Sequence, residues 1–492
     1  MTIFIVDESG QGDYKTIGAA LQAAKLGDTI RVLNGVYRER VNIGVPKIVL
    51  EAADGHTPEI DGGWNGKTVE SGFAAQVQVQ APGVLVRGLT IRNCPGRGLG
   101  VTADNVTVRG CRIDNTYQGA LYVGPGTKDD KSEESDGPAV RGILVEGCIM
   151  SRMSQSWVTE TRPKGVNGGI NFHTVEDGEF RNNFASDGWG EIFNLGRGSK
   201  RVRVVGNIFH SGNHVLGYLN RCQECEFIGN ILFHVPDAAY RNKDGEWSAG
   251  IVIGDERGRA VKNFPFSRGN IIRGNVVVNT GVLLHVRNNT KDEGGYDTQL
   301  LDTEIAYNTL VGGPSTRGGI IIQPNMRGRK HAGSVFRDNV IDCSAAPNGT
   351  DIGTFSDGVG VKFERNAWST RPPQTMQSKD DLYGVFLTNP AAAITRARES
   401  VESRIDLNDY RPRPNSVLAA TNIGALAATE LTEPPVEPPP IDPPVEPPLP
   451  DTAALVGLTD SALASLALAK HGIADAEEKL RQLMSLLGEE AV

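Results

Sequence analysis

The chain has 492 residues, of which 59 are glycine and only 6% aromatic, and its formal net charge is −9. This balance suits many short strands joined by tight turns rather than a helical protein, and it excludes the basic surface that a nucleic-acid partner needs. No run approaches the ~18 uninterrupted apolar residues of a membrane span. The opening MTIFIVDESGQGDY reads as strand and turn, so no signal peptide is expected in this sequence. Residues 1–45 are expected to form an amino-terminal strand and a short helix. Six cysteines in so long a chain do not frame a fold. Cys111 and Cys148 fall at one place in successive repeats and are expected to stack as small apolar groups. Cys222 and Cys225 form a lone CxxC with no second ligand pair at finger spacing.

From about residue 46 to 412 one short phrase recurs: apolar, any residue, glycine or polar, asparagine, any residue, apolar. It appears around Asn183, Asn207, Asn230, Asn275, Asn308, Asn339 and Asn366, and earlier copies place Leu89, Cys111 and Cys148 at the asparagine position. Three residues upstream stand Val86, Val108, Val145, Phe180, Val204, Phe227, Ile272, Ile305, Phe336 and Phe363, all apolar. A column this uniform is what period-2 strands require when each coil stacks its inward side chain on the next. Asparagine suits the turn because it tolerates the left-handed conformation and its amide can bond one coil along. Copies lie 22, 37, 35, 24, 23, 45, 33, 31 and 27 residues apart. The shortest interval is a bare coil, so insertions are expected within 112–147, 149–182 and 231–274, the interval of 45 leaving room for an extra coil. Insertions on one face of a solenoid often build the binding site.

After a strap at 413–433, ten of the seventeen residues of 434–450 are proline. That composition predicts an extended arm of roughly 50 Å. Residues 451–492 carry apolar positions at Ala462, Leu466, Ala469, Ile473, Ala476, Leu480, Leu483 and Leu487, capped by Thr459. The alternating steps of four and three predict a carboxy-terminal amphipathic α-helix. It would oligomerise as a coiled coil, for instance in a homotrimer, or dock on a larger particle.

With its repeat in register, the chain resembles the right-handed parallel β-helix (pectin-lyase-like) superfamily of pectate lyases, alginate epimerases and phage tailspikes. The segment DYKTIGAALQAAKLGDTIRVLNGVYRERVNI is similar to the amino-terminal cap of pectin methylesterases. The resemblance implies an all-β fold: a right-handed parallel β-helix of about ten coils with an amino-terminal helical cap, followed by the proline-rich arm and the helix. The QAVAL and DFIFG segments of pectin methylesterases, the paired NTD and DD motifs of polygalacturonases, the WIDH segment of pectate lyases and the DPH motif of alginate epimerases are missing. No one activity follows from the resemblance.

In that superfamily the substrate groove lies beside the strand after the third turn. Segments of that class are GGINFH (168–173), VLGYLN (215–220), GIVIGD (250–255) and GVLLHV (281–286), whose polar residues are His173, Asn220, Arg221, Asp255, His285 and Arg287. Loops just upstream would add Asp187, Glu191, His210, His214, His234 and Asp237. His214 and Asp237 share one offset, which predicts a carboxylate beside an imidazole one coil away. Eliminating a uronic acid polymer needs a base and a cation at the carboxylate, here His173, His210 or His214 with Arg221 and Asp187. Hydrolysis would instead use Asp187 with Glu191, or Asp255 with Glu256. Trp157, Trp189, Tyr218, Tyr240 and Trp247 could stack on sugar rings. No cofactor is expected. Calcium could bind near Asp237, Asp244, Asp255 and Glu256, although no EF-hand spacing is present.

The reading that combines these observations is a carbohydrate-active β-helix, a polysaccharide lyase, depolymerase or epimerase-like protein with an acidic polysaccharide as partner. It would be extracellular or part of a virion, as in a tailspike. The reading from another class is a non-catalytic glycan-binding or structural spike protein of a virus or cell surface.

Overall fold

The computed structural model describes residues 1–67, 74–126, 137–156, 168–235, 248–257, 264–288, 295–324, 330–347, 359–384, 386–392, 405–414 and 416–426. Asp237, Asp244, Tyr240, Trp157 and Trp247, the proline-rich arm and the heptad segment lie outside these residues.

Three long sheets, all parallel, hold most of the described strands. Two contain thirteen strands and the third ten, and strands adjacent in a sheet come from successive coils. One coil illustrates the rest: Glu179–Arg181 lies in the first sheet, here A, Phe184–Gly188 in sheet B, and Glu191–Gly196 in sheet C. The ten-residue column is one file of sheet A, running Val86, Val108, Val145, Phe180, Val204, Phe227, Ile272, Ile305, Phe336 and Phe363 in direct register. Leu50 and Ile30 extend it toward the amino terminus. These side chains are buried in one continuous apolar core. The neighbouring positions of sheet A face water, and many carry charges that pair between coils, as in Arg109–Glu146–Arg181.

At the turn from sheet A to sheet B the asparagines form a buried ladder. The Oδ1 of Asn230 accepts both the backbone N–H and the Nδ2 of Asn207, each at 2.9 Å, while its own Nδ2 donates to the Val204 carbonyl and to Asn275. The pattern repeats through Asn183, Asn275, Asn308, Asn339 and Asn366, and Asp381 accepts from the last backbone N–H. Cys111 and Cys148 continue it as buried thiols, and the Cys148 N–H donates to Asn183. The left-handed residue of the turn is not the asparagine but the one before it: Asn182, Gly206, Gly229, Gly274, Tyr307, Asp338 and Arg365 all have φ between 49° and 66°. Asparagine is therefore used for its amide, which supplies a donor and an acceptor along the stack. Replacing Asn230 by alanine orphans buried groups on both neighbouring coils and is expected to cost about 2–4 kcal/mol in denaturant unfolding.

Two expectations about coil boundaries are corrected. Ile231–Phe233 pairs directly with Val276–Val278, and Glu226–Ile228 with Ile271–Arg273, so the interval of 45 residues is a single coil with insertions. The last coil strand is Leu382–Tyr383, well short of residue 412. The described residues after it, 386–392, 405–414 and 416–426, add to the outside of sheet B. There Leu387, Tyr410, Leu418, Ile423 and Ala425 bury a second apolar layer formed with Phe233, Val278, Val311 and Val340. At the amino terminus the strands begin at Ile3, and the helix Ile17–Ala23, capped by Thr16, buries Ile17, Ala20 and Leu21. Cys222 and Cys225 are free, buried thiols of the main core.

Candidate functional site

Sheet C is entered in each coil by the turn after sheet B. Ile170–His173, Val215–Asn220, Ala249–Ile253 and Val282–Val286 all belong to it, as their sequence pattern predicts, and Glu191–Gly196 lies between the first two. One outward file of this sheet runs Asn42, Gln78, Gly100, Tyr122, Asn171, Asn194, Tyr218, Val252, His285 and Ile321.

Polar chemistry concentrates in the middle of this face. His173 is buried at the end of its strand with its ring edge-on to Tyr122, centroids 6.0 Å apart. The Arg97 guanidinium lies over the other ring of that pair, 4.2 Å from the Tyr122 centroid. Burial first, then the charges of Arg197 and Arg97, hold the His173 imidazole well below the usual histidine range, while the Asn194 amide works the other way. His173 is thus neutral at pH 7, set among guanidinium charges. One coil further, the Asn194 Nδ2 donates to Glu191 Oε2. The other oxygen of this buried carboxylate is 3.8 Å from Nδ1 of His214, whose side chain keeps 27% exposure. His173, Asn194, Glu191 and His214 therefore form one polar series across successive coils.

Glu191 lies on a strand of sheet C rather than in an upstream loop. That placement, at the strand's start and one coil before Val215, puts its carboxylate beside the two-residue turn carrying His214. Trp189 sits half-buried in the preceding turn.

The other candidates separate from this group. His210 is on a strand of sheet B, fully buried, stacked on Phe233 at 4.8 Å and edge-on to Phe184. Because side chains alternate across a strand and Phe209 takes the inward position, His210 points to the outside of sheet B, away from His173. Asp187 ends another sheet B strand with φ 57° and accepts from the Ser186 hydroxyl at 2.9 Å. Arg221 directly follows the sheet C strand Val215–Asn220, one coil from Arg197, and its carbonyl accepts from the Gly198 N–H. Its guanidinium donates to the Glu256 and Phe264 carbonyls and stacks on Phe266, which makes it a brace between loops. Asp255 is buried and accepts from the Arg221 N–H and from the N–H and hydroxyl of Ser267. Burial raises its pKa above the usual carboxylate range. Of the carboxylates considered for hydrolysis, Asp187 and Glu191 lie on strands of different sheets, and Asp255 is hydrogen-bonded to Ser267 of the loop it holds.

Tyr218, His285 and Arg287 lie on or beside the same face beyond Glu191. The Tyr218 hydroxyl is 2.9 Å from both the Gly254 carbonyl and Glu256 Oε1. His285 is pushed down to about 3 by burial and then by Arg287. Among the described residues no cluster of three His, Cys, Asp or Glu side chains could hold a metal ion, and no helix is long and apolar enough to cross a membrane. Arg97, Tyr122, Asn171, Asn194 and Arg197 were not legible as site residues, although RGLGV (97–101) and LYV (121–123) share the strand pattern of sheet C and could have extended the file toward the amino terminus.

The fold is a parallel β-helix. No protein-family model matches the chain. Among solved structures it is similar to a rhamnogalacturonan lyase, with a TM-score of 0.53 at 11% identity over 86% of this chain and 100% of that one. Among curated proteins it is similar to Pectinesterase 3 of Citrus sinensis, 34% identical over 134 residues, and to a pectinesterase of Daucus carota, 35% identical over 136 residues. Each match covers 24% of this chain, and the chain spans only 22% and 41% of the length of those two relatives.

Proposed function

We propose that the protein is a polysaccharide lyase that cleaves a uronic-acid-containing chain on the outer face of sheet C. The observation that carries this reading is the series His173–Asn194–Glu191–His214 beside the guanidinium groups of Arg97 and Arg197. Arg97 and Arg197 supply positive charge for a uronate carboxylate, which disperses the charge developing when the adjacent proton is removed. His214, oriented by the Glu191 carboxylate and partly open to solvent, is the base that takes this C5 proton. The C5–H electron pair becomes the C4–C5 double bond, the C4–O bond breaks, and the departing oxygen is protonated from solvent. No oxidant, reductant or metal enters this balance.

The test is incubation of the full chain with polygalacturonate, rhamnogalacturonan, alginate and glycosaminoglycans while following ultraviolet absorbance of the new double bond. Absorbance growing with one of these polymers and lost in His214→Ala supports the reading. Reducing ends released without a double bond would replace it by hydrolysis, and no product from any acidic polymer would remove it.

A further inference from the structure

The outer face of sheet C is not uniform along its length. At its amino-terminal end the outward file is open: Asn42 is exposed and Gln78 half-buried. Just past Asn194 the same face is filled. Val215, Tyr218, Ala249 and Val252 form a separate apolar cluster outside the main core, all at 5% exposure or less, with Tyr296 and Val282 packed against it. Outward positions of a strand this apolar and this dry are covered.

Tyr296 reaches them because the chain after Val282–Val286 doubles back. Gly295–Tyr296 pairs antiparallel with Glu256–Arg257, the only antiparallel strand pair among the described strands. The Asp297 N–H donates to the Asp255 carbonyl at 2.9 Å, and the Asp255 N–H in turn meets the Thr298 hydroxyl at 2.8 Å. The two tyrosines close over Gly254: a Cβ at that position would come within 3.1 Å of both the Tyr218 and the Tyr296 ring. A side chain there would push the two rings apart by a few tenths of an ångström. The Tyr218 hydroxyl, tied to Glu256 and the Gly254 carbonyl, fixes the lower ring. Arg287, 3.4 Å from the Tyr296 hydroxyl, flanks the upper one. Beyond this barrier Val282, His285 and Arg287 are again partly exposed.

We infer that the Tyr218–Tyr296 pair is a wall that closes one end of the sugar-binding face, so that the protein takes a chain end and acts exolytically. The inference rests on the elimination reading and deepens it. His214, the proposed base, directly precedes Val215, whose strand also carries Tyr218, so the reacting centre abuts the first coil of the wall. On that side there is room for the sugar under attack and none for a continuing polymer, whereas the amino-terminal end admits the rest of the chain toward Gln78 and Asn42.

The experiment sizes the products formed in the first few per cent of turnover on the polyuronate that gives the double-bond signal, with solution viscosity followed in parallel. The native protein is expected to yield one short product from the outset, with viscosity falling slowly per double bond formed. Tyr296→Ala is expected to broaden the products into a ladder and to steepen the viscosity loss several-fold per double bond. A ladder from the native protein at low conversion overturns the wall while leaving elimination intact. A double-bond signal absent on every acidic polymer overturns the elimination reading and the wall with it. Should Tyr296→Ala fail to fold, the native protein's affinity for uronide oligomers of increasing length decides: a gain with each added residue on both ends of the chain contradicts a closed end, and a one-sided gain supports it.

Discussion

Glu191→Gln is expected to lower turnover by about 10²–10³-fold while leaving the melting temperature nearly unchanged. The range is that of a general base deprived of the group that orients it. The substitution keeps the shape of the side chain, and its amide oxygen can still accept from Asn194 Nδ2, so the buried contact on sheet C survives. What disappears is the negative charge 3.8 Å from the His214 imidazole. Binding of the uronate carboxylate is assigned to Arg97 and Arg197, so KM should move far less than kcat. Initial rates of double-bond formation across substrate concentration separate the two. A variant with native kcat would remove Glu191 from the reaction, and one with a raised KM alone would make it a binding group.

Acid is expected to destabilise the fold steeply, through two histidines held in their neutral form, His234 buried and His285 largely so. His234 is held down to about 3 by burial and then by its neighbour His210, and His285 to about 3 by burial and then by Arg287. In the unfolded chain both titrate near 6.5. Between these limits the unfolded state binds protons that the folded state refuses. The stabilising effect of keeping them neutral is thus complete above about pH 6.5 and is lost as pH falls toward 3. From pH 7 to pH 4 the loss is on the order of 3 kcal/mol for each histidine. Urea unfolding at a series of pH values checks this, and His285→Gln should flatten the curve by about one histidine's share. A flat dependence between pH 7 and pH 4 would show that both sites admit the charged form.

The stacking of the fold was legible because it is repetitive. Once Asn207, Asn230 and Asn275 share a phrase, the offset of three places Val204, Phe227 and Ile272 in one interior file, and nothing later in the chain can disturb that register. The strands of sheet C were readable for the same reason at GGINFH and VLGYLN. The site was less legible because it depends on which face a residue takes at the ends of strands. His210 and His214 are four residues apart, yet the turn at Asn213 separates a side chain packed on Phe233 from one facing Glu191. Arg221 and Asp255 carry attractive chemistry in the sequence and are spent on bracing loops, which only the contacts of Phe264 and Ser267 reveal. Arg97 and Tyr122 escaped notice because they precede the asparagine ladder, where its place is taken by leucine and cysteine. Tyr296 had no signal of its own, since its position depends on an insertion folding back across the coil.

The central claim is that one face of sheet C, at Asn171, His173, Glu191 and Asn194, holds a uronate sugar. A crystal structure of Glu191→Gln soaked with a trimer of the preferred uronic acid tests it directly. The account predicts sugar density along the file from Gly100 to Asn194, a carboxylate against Arg97 or Arg197, and a C5 hydrogen directed at His214. Sugar bound over sheet A or sheet B instead, with the sheet C face bare at saturating trimer, would contradict it.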